Sequence, residues 1–301
     1  MGVTGRILKT SIALVVLAAG CGGGDESRPA STNEIVDASA QPPYVGALSV
    51  NPRDGSLLLA TNSGTFVLRN GSRRLERLRV RVRAGARSGP AERGMAFTFV
   101  GPDELVGSGH PGPGAAVEPL LGFIRSRDGG RTWRSVSQLG QADLHALAEQ
   151  GGRVIAADGT EAKVLVSENG GKSFDFRATP LRLTDLDVSP RDSARLVAST
   201  ERGLYTSDDA GRTWRPGESV PGSRFAWPAP DRLLRVDPDG QVRRSTDAGE
   251  TWEAVGRVEG EPHALAALDG ETLYMADIEG TIRQSRDGGR TWSLRARAPG
   301  T

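Results

Sequence analysis

Cysteine, lysine and helical periodicity are nearly missing from this chain of 301 residues, and each gap removes a class of protein. The single cysteine, Cys21, cannot form an internal disulfide. Lysine occurs only at positions 9, 163 and 172, and the arginine that replaces it reads as codon bias, not chemistry. A formal net charge of +1 argues against general nucleic-acid binding. No sustained helical period appears beyond the N-terminus, which excludes a helical solenoid or bundle. The apolar run Ile12–Ala19 is too short to cross a membrane. No residue pattern calls for a cofactor or a metal.

What is abundant is one eight-residue phrase, Ser-x-Asp-x-Gly-x-Thr-Trp. It runs Ser126 to Trp133, Ser207 to Trp214, Ser245 to Trp252 and Ser285 to Trp292. A worn copy, Ser167 to Phe174, has Asn169, Ser173 and Phe174 at the Asp, Thr and Trp positions. Successive serines lie 41, 40, 38 and 40 residues apart, the mark of a repeat architecture. The serine ends a short strand. Asp128, Asp209, Asp247 and Asp287 stand where a carboxylate accepts turn N–H groups. Gly130, Gly211, Gly249 and Gly289 supply a backbone angle that other residues reach only with strain. Trp133, Trp214, Trp252 and Trp292 offer apolar area to a neighbouring sheet. Each phrase is thus a hairpin with a packing anchor, and it needs no ligand.

Strand-like runs upstream of the phrases repeat as well. Leu183–Val188 and Ala194–Ser199, joined by Ser-Pro-Arg-Asp, match Gly46–Val50 and Ser56–Thr61, joined by Asn-Pro-Arg-Asp. Six units result, starting near 45, 94, 142, 182, 222 and 262. Four short strands in roughly 40 residues form the blade of a β-propeller. The expectation is an all-β, six-bladed propeller over residues 44–299, with a seventh blade drawn partly from residues 30–44 as the alternative. The last unit carries its own outer strand, so closure needs none borrowed from the N-terminus.

The first twenty residues have the layout of a secretory signal peptide: Arg6 and Lys9, the apolar run, then Gly20 before Cys21. Leu17-Ala18-Ala19-Gly20-Cys21 is similar to the lipobox of bacterial lipoproteins, in which the cysteine becomes the lipidated first residue of the mature chain. That implies an extracytoplasmic protein, anchored to the membrane through Cys21, on a polar linker spanning 21–43.

The repeated phrase resembles the Asp-box, or BNR repeat, and the six-unit frame carries the resemblance across residues 45–297. Sialidases, xyloglucan-cleaving hydrolases, sortilin-type receptors, photosystem II assembly factors and many sialidase-like bacterial lipoproteins share it. The resemblance implies that the boxes lie at the propeller's periphery, away from any active site, so it specifies fold better than reaction. Sialidases would bring an Arg-Ile-Pro segment, three carboxylate-clamping arginines and a Tyr–Glu pair. Here Ala40-Gln41-Pro42-Pro43-Tyr44-Val45 precedes the first unit, and Tyr44, Tyr205 and Tyr274 are the only tyrosines. Tyr205 leads into a box hairpin, and Tyr274 belongs to a middle strand.

The remaining candidates are where the repeats differ. His145 and His263 start the first strands of the third and sixth units, which line a propeller's channel from opposite sides. Such imidazoles could serve as acid and base or sit separately hydrogen-bonded. His110 lies in a Gly/Pro-rich insertion of the second unit, the preferred binding loop. Asp185 joins these as a binding candidate. Asp103, Glu104, Asp143, Asp187, Asp277 and Glu279 are further carboxylates that a glycosidase could use, each with a plainer reading as a turn or rim group. Leu78–Arg83 alternates apolar and Arg, as one strand with an arginine-covered face that guards a sheet edge. Trp227 sits on an inner strand, as core or as a sugar platform. The function expected is a protein- or glycan-binding module at the channel mouth, with a sialidase-like glycoside hydrolase as the alternative.

Overall fold

Each of the five turns ties the third strand of a sheet to its fourth, and repetition of that unit closes a six-bladed β-propeller. The computed structural model describes residues 44–91 and 93–299, and the described residues contain no helix. The signal peptide, Cys21 and the linker expected over 1–43 lie outside them.

Six inner strands, Val45–Val50, Arg93–Gly101, Leu144–Gln150, Leu183–Val188, Arg224–Ala229 and Pro262–Ala267, stand around a central channel. Each touches the next, and the first touches the last. The core is distributed between blades in six apolar clusters, one for each junction. The ring closes through the same kind of packing, Val45, Leu48 and Leu59 of blade 1 lying against Ala264, Tyr274 and Ile282 of blade 6. Arg295 adds hydrogen bonds across this seam, to the carbonyls of Ser72 and Arg69. The outer strand of blade 6, Ser293–Arg297, is its own.

Inner strands of adjacent blades lie side by side without a continuous ladder, so their exposed N–H groups need other acceptors. Side chains one blade back provide them. Ser49 Oγ accepts from Phe99 N at 2.9 Å, Asp185 Oδ2 from Phe225 N at 2.8 Å, and Asp187 Oδ2 from Trp227 N at 2.9 Å.

In each box the serine hydroxyl accepts from the glycine N–H and donates to the Asp, as in Gly130 N to Ser126 Oγ (3.0 Å) and Ser126 Oγ to Asp128 Oδ1 (2.9 Å). The carboxylate then takes both the N–H and the hydroxyl of the threonine four residues on, at 2.8 and 2.6 Å. Asn169 reproduces this without charge, accepting from Ser173 N and donating to Ser173 Oγ. The box glycine also touches the preceding blade: a Cβ at Gly171 would lie 1.9 Å from Phe123, and one at Gly289 2.7 Å from Val242. The residue before it is left-handed too, at φ near 57–71° in every copy, even where it is Ala210 or Ala248.

The threonine hydroxyl leads in holding Asp209 and Asp287 down at about 2, and in Asp247, also at about 2, desolvation is outweighed only by the bonds from Thr251 and Ser245 together. A lowered carboxylate pKa adds stability above its unfolded value near 3.8, lost as pH falls towards 2. Asp209→Asn should therefore be close to neutral at pH 7, by analogy with Asn169, and flatten the acid limb between pH 4 and 2. Circular dichroism during acid titration checks this. An unchanged acid limb would refute the assignment.

Blade 2 departs from the pattern. Its sheet has six strands, in the order Arg87–Pro90, Arg81–Ala84, Thr132–Ser137, Phe123–Ser126, Glu104–His110, Arg93–Gly101. The alternating stretch Leu78–Arg83, expected as one strand, is divided between two blades. Leu75–Leu78 closes blade 1, while Arg81–Ala84 adds to blade 2 in parallel, with Val82 opposite Trp133. Alternation reports which face is buried but not which sheet each half joins. Val80 and Val82 are buried and Arg81 and Arg83 exposed, as the pattern implies. The sheet edge falls instead to Arg87–Pro90, where Pro90 has no N–H to offer and its carbonyl accepts from Gly112 N of the insertion at 2.8 Å.

Candidate functional site

The channel encloses about 590 Å³ and is lined along the inner strands, from their starts to Gln150 and Pro190 at the other end. Tyr44, His145, Arg182, Arg224 and His263 line the mouth at the end where the inner strands begin, each from or just before the start of one.

His145 and His263, on opposite blades, have separate partners. His145 Nε2 donates to Asp143 Oδ2 at 3.1 Å, and this bond raises the imidazole pKa and lowers that of Asp143. The ring lies close over Gly159, where a Cβ would meet it at 2.5 Å, so a side chain there would have to displace the imidazole. His110 ends the second strand of blade 2, ahead of the insertion. Its Nδ1 donates to Pro119 O at 2.9 Å, and its Nε2 lies 3.5 Å from Asp143 Oδ1. Asp143 therefore stands between His110 and His145, a grouping that the spacing of the sequence did not disclose. The insertion is fastened back to blade 3 through it.

His263 pairs with Tyr44, ring centroids 4.5 Å apart and tilted by 55°. Desolvation, with the nearby Arg224 cation, pushes His263 down to about 4, so its imidazole is neutral at pH 7. The unfolded chain protonates this histidine near 6.5 and the folded chain only near 4, so stability is lost as pH falls between them. His263→Gln should remove that loss. Denaturant midpoints at pH 7 and 4.5 would converge more in the variant than in the parent, and an equal drop in both would refute it.

Asp185 lines the channel with both carboxylate oxygens already bonded: Oδ1 accepts from Leu186 N at 3.0 Å, and Oδ2 braces Phe225 of the next blade. Desolvation raises its pKa against the pull of Arg224. Asp187, two residues on and facing the same lumen, is likewise engaged at both oxygens, and burial pushes it up to about 7. The other carboxylates lie elsewhere. Asp103 bonds Asn51 and Arg53, Glu104 pairs with Arg125, and Asp277 accepts the turn N–H groups of Glu279 and Thr281. Tyr274 is buried, its hydroxyl accepting from Gln284. Trp227 is 7% exposed and packs between blades 4 and 5, though its indole N–H has no partner. No group of three or more metal-ligating side chains occurs among the described residues.

Arg182 and Arg224 were missed as candidates. The signal was present: Arg182 just before, and Arg224 at, the start of an inner strand stand where other blades carry Tyr44, His145 and His263.

The architecture defines a β-propeller, and solved propellers are what the chain is similar to. YCF48 bound to D1 peptide aligns with a TM-score of 0.52 at 14% identity, over 85% of this chain and 78% of that one. The WD40 domain of Neurospora crassa Pan2 gives 0.51 at 14% identity, over 85% and 79%. The GH74 xyloglucanase from Xanthomonas campestris gives 0.50 at 15% identity, over 85% of this chain but 45% of that one. At such identities the likeness is one of fold. No protein-family model and no curated protein matches the sequence.

Proposed function

We propose that the chain is a binding module of the Asp-box type, which seats a protein or glycan ligand at the mouth carrying Tyr44, His145, Arg182, Arg224 and His263. One observation carries this reading: the polar side chains that vary between repeats converge on that mouth, while the repeated box side chains close their own turns. A propeller of similar fold is known with a peptide bound, which supports a polypeptide ligand. The module is extracytoplasmic and held to the membrane by lipid on Cys21, so Cys21→Ala should release it into the soluble fraction. Continued membrane attachment of that variant would count against the anchor.

The competing reading is glycoside hydrolysis. It draws on Asp187, a channel carboxyl at about 7, the range a general acid needs, and on the xyloglucanase of similar fold. The full chain incubated with a glycoside panel that includes a sialoside and xyloglucan separates the two. The binding reading expects no turnover, and turnover abolished by Asp187→Asn would replace it.

A further inference from the structure

The strand Arg81–Ala84 carries two exposed arginines that its place in the sheet does not explain. Arginine on an edge strand keeps other chains from pairing with it. This strand is not at the edge: Thr132–Ser137 runs along one side of it and Arg87–Pro90 along the other. Both ladders are occupied, so edge protection does not account for Arg81 or Arg83.

Their surroundings make them costly. Arg83 lies directly opposite Arg134, and Arg134 directly opposite Arg125, so three arginines cross three adjacent strands in one row. With strands about 4.8 Å apart, like charges at such positions repel. Arg125 is neutralised by Glu104 and Glu149. The side chains of Arg81, Arg83 and Arg134 are exposed and make no hydrogen bond or ion pair among the described residues. They share the face of the strands opposite the buried Val82 and Trp133. Arginines on the outer strands of other blades are engaged. Arg215 pairs with Asp208 and Glu250, Arg257 pairs with Asp239, and Arg177 and Arg295 bond carbonyls. In a chain of formal net charge +1, the three free guanidinium groups are a local excess and not a general one.

We infer that this face docks on an anionic bilayer surface, with Arg81, Arg83 and Arg134 meeting lipid phosphates. Guanidinium forks match phosphate oxygens two at a time. The face is a pair of neighbouring strands, not a groove, so it suits an extended sheet of charge better than one small anion. The choice of a bilayer rests on the lipid anchor proposed above. A polar linker the length of residues 22–43 has a mean reach of about 25 Å, which keeps the propeller close to the surface that holds Cys21.

The test is cosedimentation of the full chain with vesicles of phosphatidylcholine alone or mixed with phosphatidylglycerol. A Cys21→Ala background removes the lipid, so that the anchor and the face are read separately. The inference expects a preference for the anionic vesicles that falls about 25-fold in the double variant Arg81→Gln/Arg83→Gln, at roughly fivefold for each charge. Arg134→Gln should add about another fivefold. Arg202→Gln removes an exposed charge of blade 4, away from this face, and should leave the preference as it was. Added salt should weaken the preference. Relief of repulsion should raise the unfolding midpoint of Arg83→Gln, and a clear fall would give the arginine a structural role and overturn the inference. Equal partition into both vesicles, or a preference that survives the loss of Arg81 and Arg83, overturns the face and leaves the Cys21 anchor standing. Heparin that strips the chain from the anionic vesicles at a lower charge concentration than the lipid presents overturns the bilayer in favour of an acidic polymer.

Discussion

Replacing Gly171 with alanine is expected to destabilise the propeller by about 3–5 kcal/mol, enough to lower its melting temperature by roughly 10 °C. Two costs combine at this position. Its φ of +83° is one that a Cβ tolerates poorly, and that Cβ would lie 1.9 Å from the ring of Phe123. Phe123 is fully buried between blades 2 and 3, with Phe174 at its edge, so it has little room to move. The neighbouring Gly170 is a control for the first cost alone. Its φ is +71°, but an added Cβ would meet nothing within 4 Å, and Ala210 and Ala248 occupy the same place in other blades. Gly170→Ala should therefore cost only about 1 kcal/mol. Urea denaturation of both variants decides the matter. Equal losses would mean that the clash with Phe123 is relieved and that the backbone angle alone sets the price.

The same pair shows what a sequence can and cannot disclose about this fold. The box glycine is recognisable by its position in the turn, because turn chemistry is local and needs only the residues on either side. The blade count follows from the spacing for the same reason. That the glycine also seats against the preceding blade is not local: Phe123 belongs to a strand some fifty residues earlier in the chain. Leu78–Arg83 failed in a related way. Its alternation described the buried face correctly, while the break between two blades depends on where the chain crosses, which no period records.

The mouth was partly legible. Position within the repeat was enough to place His145 and His263 at the channel, because the start of an inner strand always faces it. Their partners were not, since Asp143 gathers His110 across a blade boundary and Tyr44 reaches His263 across the closing seam. For Asp185 the spacing did not disclose that a carboxylate on an inner strand has a second, structural use there. The side-by-side inner strands leave N–H groups unpaired, and Asp185 and Asp187 cap those of Phe225 and Trp227. That requirement comes from the ring as a whole. Arg182 and Arg224 went unremarked because arginine is so common in this chain that composition hid them.

Of the four box tryptophans, Trp133 should be the most costly to truncate, at about 3–5 kcal/mol for Trp133→Ala. It is 1% exposed, whereas Trp214, Trp252 and Trp292 all keep some contact with solvent. The difference lies in the extra strand of blade 2: Arg81–Ala84 runs parallel to Thr132–Ser137 and brings Val80 and Val82 into the cluster that surrounds the indole. Leu58, Phe97 and Leu105 complete that cluster, and the indole N–H donates to Gly130 O at 2.9 Å. Trp292→Ala removes an equal side chain from a partly open site, so roughly half the loss is expected there. Denaturant midpoints compare the two. If the extra strand is the reason, Val82→Ala and Trp133→Ala should also couple, the double variant losing about 0.5–1.5 kcal/mol less than the two single losses together. Additive losses would assign the burial of Trp133 to Leu58 of blade 1 with Phe97 and Leu105 of blade 2, and leave the added strands of blade 2 without an energetic role in its core.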